Sequence, residues 1–332
     1  MQLGLSENLS ALVARRFKAA KEGGHLVFSP TQLSIINAGI PYQLRYCPAL
    51  AKKPNGLKPT GSKTPKPDPF ENPSPDLLIA TFPPSNPTHA LVLNKFPVIP
   101  NHFILSTTAL KSQTDLLELS DLEATYACIS SWSQNHNGRL FAFFNSGDDS
   151  GASQPHRHLQ FLPVEAMADQ NPADGAWAPL IDGFASQPQT PYQHLPHLSF
   201  AHFALPIPPA PSPETLHNIY ISLYRAAVSA AGVRNTTATS GPANISYNLA
   251  MTLSTMMIVP RKAETAHVPV DIEKAGDIVD PGVVSLNGTI LAGTLMVKAE
   301  AEWDVLRDQP EVLVKMLRDV GFPREREGMA VL

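Results

Sequence analysis

The stretch Phe143-Phe-Asn-Ser-Gly-Asp-Asp-Ser-Gly-Ala-Ser-Gln-Pro-His-Arg-His-Leu-Gln-Phe-Leu-Pro163 sets the reading of this 332-residue chain. Residues 140–144 are a short apolar run, which predicts a buried strand. A turn of small residues, 146–154, follows, and then a second strand. Side chains alternate faces along a strand, so His156, His158 and Gln160 line one face. Arg157, Leu159 and Phe161 take the other, where the last two can fill a core. In the turn, Gly and Ala let backbone N–H groups converge on an anion, and Ser146, Ser150 and Ser153 are expected to add hydroxyl donors. An anion cradle beside a row of two imidazoles and an amide suggests phosphoryl or nucleotidyl transfer through a covalent histidine. Gln can hold a phosphate oxygen but has no acidic proton to give. Two other readings fit the same spacing. His-x-His is a common metal-ligand pair, with Asp148 or Asp149 as the nearest third ligand, and both imidazoles could be structural.

Outward from this motif, the chain reads as mixed. Helices are predicted over residues 6–22, 112–136, 213–231 and 300–320. Strands are predicted over 40–47, 77–82, 89–93, 103–106, 245–259 and 283–297. Residues 52–75 read as loop. No regular βαβ alternation is present, which predicts an α+β fold. The Pro-rich stretch 163–199 is the boundary candidate, dividing a catalytic part, 1–190, from a part that completes the site, 191–332. Within that stretch Trp177 and Phe184 suggest packing. The 33 prolines point to long connections rather than a helical bundle. Surface or packing roles are expected for His194, His197 and His202, and core positions for Trp132 and Trp303. Arg261 reads equally as a phosphate ligand or a strand-end cap.

Charge and cysteine content narrow the classes. The net charge of −4 divides into +7 over residues 1–70 and −11 over the rest. A local basic stretch in an acidic chain suits an anion site and not a nucleic-acid surface. Lys58, Lys63 and Lys66 are expected only to solvate their loop. The two cysteines, Cys47 and Cys128, form no CxxC pair and suit a reducing compartment. No apolar run is long enough to span a bilayer. Residues 6–22 lack a signal-peptide pattern, and Glu7 and Glu22 weigh against a mitochondrial presequence.

The motif, with Pro41-Tyr-Gln-Leu-Arg-Tyr-Cys-Pro-Ala-Leu-Ala-Lys-Lys-Pro54, Pro67-Asp-Pro-Phe70, Leu91-Val-Leu-Asn-Lys-Phe96, Ser246-Tyr-Asn248, Val259-Pro-Arg261 and the block 285–298, resembles the diadenosine tetraphosphate phosphorylases, or ATP adenylyltransferases. These belong to the histidine-triad and galactose-1-phosphate uridylyltransferase superfamily. The resemblance covers about residues 40–300 and implies a histidine-triad-like, mostly antiparallel open sheet with flanking helices. It implies phosphorolysis of diadenosine tetraphosphate to ADP and ATP through an adenylyl-histidine on His158. Gln160 would stand where the triad hydrolases carry a third His and disfavour attack by water, while His156 orients the site. Phosphate oxygens would be held by Asn145, Gly151, Ala152, Ser153 and Gln154. The nucleotide would lie near Asn94, Lys95, Asn287, Gly288, Thr289, Thr294 and Lys298, with Lys53 on the polyphosphate. Partners would be a dinucleoside polyphosphate and inorganic phosphate, with no nucleic acid and no membrane. No tightly bound cofactor is implied, Mg2+ entering at most with the polyphosphate. The cytoplasm is the expected compartment, with the nucleus a second. Thr255 and Thr294 depart from the family's usual aromatic and Met in a block expected to frame the nucleotide, which leaves base preference open. The rivals are a hexose-1-phosphate uridylyltransferase and a non-enzymatic nucleotide sensor.

Overall fold

A computed structural model describes residues 3–52, 67–134, 138–168, 177–186, 192–234, 237–271 and 280–324. Its centre is an eight-stranded sheet in which every neighbouring pair is antiparallel. The strands are β3 (Leu78–Phe82), β4 (His89–Leu93), β5 (Phe103–Thr107), β6 (Leu140–Ser146), β7 (His158–Pro163), β8 (Phe203–Pro206), β9 (Ser246–Met251) and β10 (Thr255–Arg261). Their order is β3-β4-β5-β7-β6-β9-β10-β8. The sheet therefore runs without a break from strands of the N-terminal half to strands of the C-terminal half, joined where β6 pairs with β9. A second sheet holds β1 (Gln32–Asn37), β2 (Pro41–Tyr46) and β13 (Thr294–Val297), and a small ribbon holds β11 (Thr265–His267) and β12 (Val283–Ser285).

Alternation along the strands sorts two cores. Ala142 and Phe144 of β6, Leu159 and Phe161 of β7, Leu249 and Met251 of β9 and Ile258 of β10 face helices α1 (Leu9–Glu22), α2 (Leu119–Ser133) and α4 (Pro213–Ala230). Phe141, Phe143, Leu162, Ala250, Met257 and Val259 face the other way. There they meet the second sheet, α5 (Glu300–Asp308), α6 (Glu311–Val320) and a short 3-10 turn, Gly288–Ala292. The one-turn helix α3 (Val164–Met167) follows β7 on this side. Each long helix is built from its sequence in the same way. In α1, Asn8 caps the first turn through Oδ1, and Leu9, Leu12, Val13, Phe17 and Ala20 form the buried stripe. Ser212 and Pro213 start α4 in the same fashion.

Several expectations are corrected. The helix predicted over 112–136 begins only at Leu119. Residues 112–118 are drawn into tertiary pairing instead: the Gln113 amide donates to Pro155, the Leu116 amide to Gly241, and Ser112 bridges His156. The strand over 245–259 is two strands, and 283–297 is a strand, a 3-10 turn and a strand. The helix over 300–320 breaks at Gln309 and Pro310, because proline has no N–H to continue the ladder. Strands β1, β8 and β11 had no expectation at all. Trp132, Trp303 and Phe184 are buried, and Trp177 packs half-buried against the second core. His202 is buried too, its Nδ1 donating to Phe200 and its Nε2 accepting from the Leu195 amide, which is the packing role expected of it.

Candidate active site

The site forms where two central strands part. β6 and β7 pair as far as Phe143 opposite Gln160. Beyond that point β6 continues on β9, with Asn145 opposite Asn248, while His158 has no backbone partner from β6. The side chain of Gln113 takes the vacated place. Its Oε1 accepts from the His158 amide at 2.7 Å, and its Nε2 donates to the carbonyls of Asn145 at 2.7 Å and His158 at 3.2 Å. One amide thus reproduces a strand's pairing and holds the parted strands in register.

His158 points to the face away from α1, α2 and α4, as the alternation required. It is 3% exposed. Its Nδ1 lies 2.8 Å from the carbonyl oxygen of His156, and a carbonyl can only accept. The ring hydrogen therefore sits on Nδ1, and Nε2 carries the lone pair, with no hydrogen-bond partner among the described residues. Burial pushes the imidazole down to about 4, with the charge of His156 acting in the same direction and the His156 carbonyl and Asp68 opposing. Neutral and with one bare nitrogen, His158 has the form a nucleophile needs. Phe70 lies over it, ring centroids 5.1 Å apart.

His156 is tied at both nitrogens. Nδ1 is 2.6 Å from Oδ2 of Asp68, and Nε2 donates to the carbonyl of Thr107 at 2.8 Å, with the Thr107 hydroxyl 3.0 Å away. Neither nitrogen is left for a substrate or a metal, so the His-x-His spacing is not used as a ligand pair. Among the described residues, no group of three His, Cys, Asp or Glu is placed to hold a metal ion. Burial alone would raise the Asp68 carboxyl. The Phe70 amide and then the bond and charge of His156 outweigh it, holding the carboxyl below its ordinary range. Immediately before β7, and turned to the opposite side from His158, Arg157 is buried against the start of α2. It donates to Asp121 at 2.8 Å and Glu118 at 3.0 Å, and Asp121 in turn meets Nε2 of His89 at 3.1 Å.

The small-residue turn is an organised loop, but the hydroxyls of Ser146 and Ser150 are not the donors expected. Ser146 is fully buried, and Ser150 spends its hydrogen on the Gly147 carbonyl at 2.6 Å. Ser153 is exposed. Gly147 and Gly151 have φ of +86° and +79°, and a Cβ at either would collide with Ser246 or Asn287. Asn145 is a tie as much as a candidate ligand: its Oδ1 accepts from Asn248 and from the Gly288 amide, both at 2.9 Å, and its Nδ2 reaches the Gly151 carbonyl at 3.4 Å. This brings 151–154 and 287–289 to one place beside β6. Asn287 accepts from the Thr289 amide at 3.0 Å, and Gly288 sits where a Cβ would meet Phe143. Ala152 and Gln154 are half-buried in the same loop.

The remaining expected residues divide. Asn94 stands next to His102, which bonds Gln160, and so belongs to the site's edge; Lys95 beside it is exposed. Lys298 directly follows β13, next to the point where β2 runs toward the 3-10 turn Pro48–Lys52. Lys53, Lys58, Lys63 and Lys66 lie outside the described residues. Thr294 is corrected: it is fully buried and its hydroxyl donates to Gln43 at 3.0 Å, inside the second sheet. Thr255 is corrected likewise. It starts β10, two strands from β6 and four residues along from Val259, which lies level with Asn248 and Asn145, so it does not frame the loop. Arg261 caps its strand end, donating past the last residue of β10 to the carbonyls of Ala263 and Glu264. Buried, it donates to Asn248 and to the carbonyls of Ala263 at 2.8 Å and Leu286 at 3.0 Å, locking the C-terminal strands to Asn145. Asp68, Thr107, Gln113 and His102 were not singled out in the sequence. Asp68 and Phe70 stand in the quoted Pro67-Asp-Pro-Phe70, where two prolines bracket an acid.

Comparison with known proteins agrees with this geometry. Residues 2–176 match the family model for the Ap4A phosphorylase N-terminal domain, and residues 196–323 that for the ATP adenylyltransferase C-terminal domain. The chain is 30% identical to diadenosine 5',5'''-P1,P4-tetraphosphate phosphorylase 2 of Saccharomyces cerevisiae, across 96% of each. It superposes on the crystal structure of yeast Ap4A phosphorylase Apa2 with a TM-score of 0.78, at 27% identity, covering 97% of this chain and 100% of that one. The structure of Apa2 in complex with Ap4A gives a TM-score of 0.75 at 26% identity, with the same coverage. With both family models matched in order and a curated relative aligned along nearly its whole length, the chain belongs to the Ap4A phosphorylase family.

Proposed function

We propose that this protein cleaves diadenosine tetraphosphate with inorganic phosphate, giving ADP and ATP, through an adenylyl group carried on Nε2 of His158. The observation that carries the reading is the 2.8 Å bond from His158 Nδ1 to the His156 carbonyl, which leaves the lone pair on Nε2. Membership of the family supports the substrate.

In the first step the Nε2 lone pair attacks the α-phosphorus of one adenylyl end. An N–P bond forms, and the P–O bond to the bridging oxygen breaks, with its electron pair leaving on ATP. The ring keeps its hydrogen on Nδ1, and the His156 carbonyl stabilises the positive charge that develops there. In the second step an oxygen of inorganic phosphate attacks the same phosphorus. The N–P bond breaks, ADP leaves, and the electron pair returns to Nε2. His156, fixed between Asp68 and Thr107, orients the nucleophile's partner carbonyl. Gln160 offers N–H groups and no acidic proton, so it can steady a phosphate oxygen without activating water. The backbone amides of 151–154 and 287–289, with Lys298 and Lys53, serve the polyphosphate.

The test is product analysis with and without phosphate. ADP plus ATP should form with phosphate, and AMP plus ATP only slowly in its absence. Comparable AMP formation in phosphate-free buffer would move the protein to the hydrolases.

A further inference from the structure

The hydrogen bonds leading to Gln160 run in one direction. Oδ1 of Asn94 accepts from the Phe96 amide at 2.9 Å, which turns the Asn94 amide nitrogen toward His102, 3.0 Å from its Nδ1. An amide nitrogen can only donate, so Nδ1 of His102 accepts, and the ring hydrogen belongs on Nε2. That N–H meets Oε1 of Gln160 at 3.1 Å. The oxygen end of Gln160 is thereby occupied. Its nitrogen end, with two hydrogens, has no partner among the described residues. Strand register explains how the two meet: Gln160 pairs with Ile104, and His102, two residues earlier, shares the face of Ile104. His102 itself is 8% exposed, held where its ring cannot swing away freely.

An amide is nearly the same shape either way round, but its two ends have opposite polarity. Turned about, Gln160 would aim a carbonyl oxygen at an anionic phosphate. We infer that His102 is a positioning residue that locks Gln160 with its N–H groups toward the phosphate, and so sets the partition of the adenylyl enzyme between phosphate and water. This rests on the reading of the site given above.

The experiment compares His102→Leu, His102→Gln, Gln160→Leu and the double variant His102→Leu/Gln160→Leu, measuring kcat, KM and the ratio of ADP to AMP formed from diadenosine tetraphosphate at fixed phosphate. His102→Leu should lower kcat about tenfold or more, leave KM nearly unchanged, and shift products toward AMP. His102→Gln, whose amide nitrogen can reach the place of Nε2, should recover most of the loss. The double variant should be no slower than Gln160→Leu, because a residue acting only through Gln160 has nothing left to act on. Losses that multiply in the double variant, or an unchanged product ratio in His102→Leu, overturn the proposal while leaving the phosphorolysis reading intact. A wild-type enzyme that forms no ADP from phosphate would instead defeat that reading, and this inference with it. Imidazole 15N spectra of the unmutated protein give an answer that does not depend on any variant folding. A hydrogen on Nε2 of His102 is expected, and one on Nδ1 overturns the relay.

Discussion

The carbonyl oxygen of His156 holds the Nδ1–H of His158 at 2.8 Å, so a backbone group of one motif residue sets the tautomer of the next. In a strand, that contact across two positions depends on local backbone shape. The shape is fixed from outside, by Asp68 and Thr107 on the His156 ring and by Gln113 on the His158 backbone.

Replacing His158 tests the covalent step. His158→Ala should lose several orders of magnitude in turnover, since the neighbouring imidazole, His156, has both nitrogens occupied and cannot take its place. Far-ultraviolet circular dichroism should be unchanged. A variant keeping a tenth of wild-type activity would show that the bond to phosphorus is made elsewhere.

Acid should weaken the fold before it silences the nucleophile. Burial lowers His158 and His202 from 6.5 to about 4. A histidine whose folded value lies below its unfolded one contributes stability above the unfolded value and loses it as pH falls toward the folded one. Between pH 6.5 and 4 the unfolded chain takes up protons that the folded one refuses, at roughly 3 kcal/mol for each buried ring. Urea midpoints should therefore fall through this window. His158 should stay neutral throughout most of it, so single-turnover adenylylation should show no ionisation near 6.5. An acid limb centred at 6.5, matched by a His158 proton resonance titrating there, would contradict the buried neutral form.

Gln113 is expected to matter to both fold and chemistry. Gln113→Leu strips partners from the His158 amide and from two carbonyls, all buried, each at about 1–3 kcal/mol. Melting temperature should drop and kcat should fall with it. Gln113→Glu keeps an acceptor for the His158 amide but sets an oxygen against the Asn145 carbonyl, so it should do little better. Wild-type stability in both variants would mean that the strands part for another reason.

What could be read from the sequence, and what could not, follows from how far apart the partners lie. The row His156, His158, Gln160 was legible because a period of two needs only five consecutive residues. The groups that give those side chains their chemistry lie 88 residues away for Asp68, 49 for Thr107, 58 for His102 and 45 for Gln113. No local pattern reports such separations. Gln113 was hidden further by a helix-like run of residues that tertiary pairing folds into a turn between two bridges. Ser150 misled for the opposite reason: a hydroxyl in a tight turn satisfies its own backbone first, here at Gly147. Thr255 and Thr294 were read against a family pattern, and only strand order shows that one sits far from the loop and the other inside a second sheet.

Arg157 is the residue of the motif that serves the fold. It is 2% exposed and bonded to Asp121, which is fully buried. Burial would raise the Asp121 carboxyl, but the His89 bond and the Arg157 charge outweigh it and hold it low. Arg157→Met would leave that carboxylate without its cation, at about 3–5 kcal/mol. Thermal melting should show the loss. Asp121→Asn in the same chain should restore part of it, by removing the stranded charge. A double variant less stable than the single would show that the pair is not coupled.

The lysines separate a charged site from a solvated loop. Lys298 directly follows β13, its amide donating to Glu302 at 3.0 Å, and Lys53 is the cation the family resemblance assigns to the polyphosphate. A surface lysine changed to Met, which keeps the apolar stem and drops the charge, should move stability by no more than about half a kcal/mol. A cation facing the charge that develops on a departing polyphosphate should instead contribute about 2–4 kcal/mol to the barrier. The two roles differ by more than tenfold in rate, so melting temperature and turnover together decide between them. Lys298→Met and Lys53→Met are expected to melt as the wild type does and to turn over far more slowly, with the larger loss on tetraphosphate than on triphosphate substrates. Near-normal turnover in both would leave the anion to the backbone amides of 151–154 and 287–289, and would make the basic first seventy residues a solvated surface.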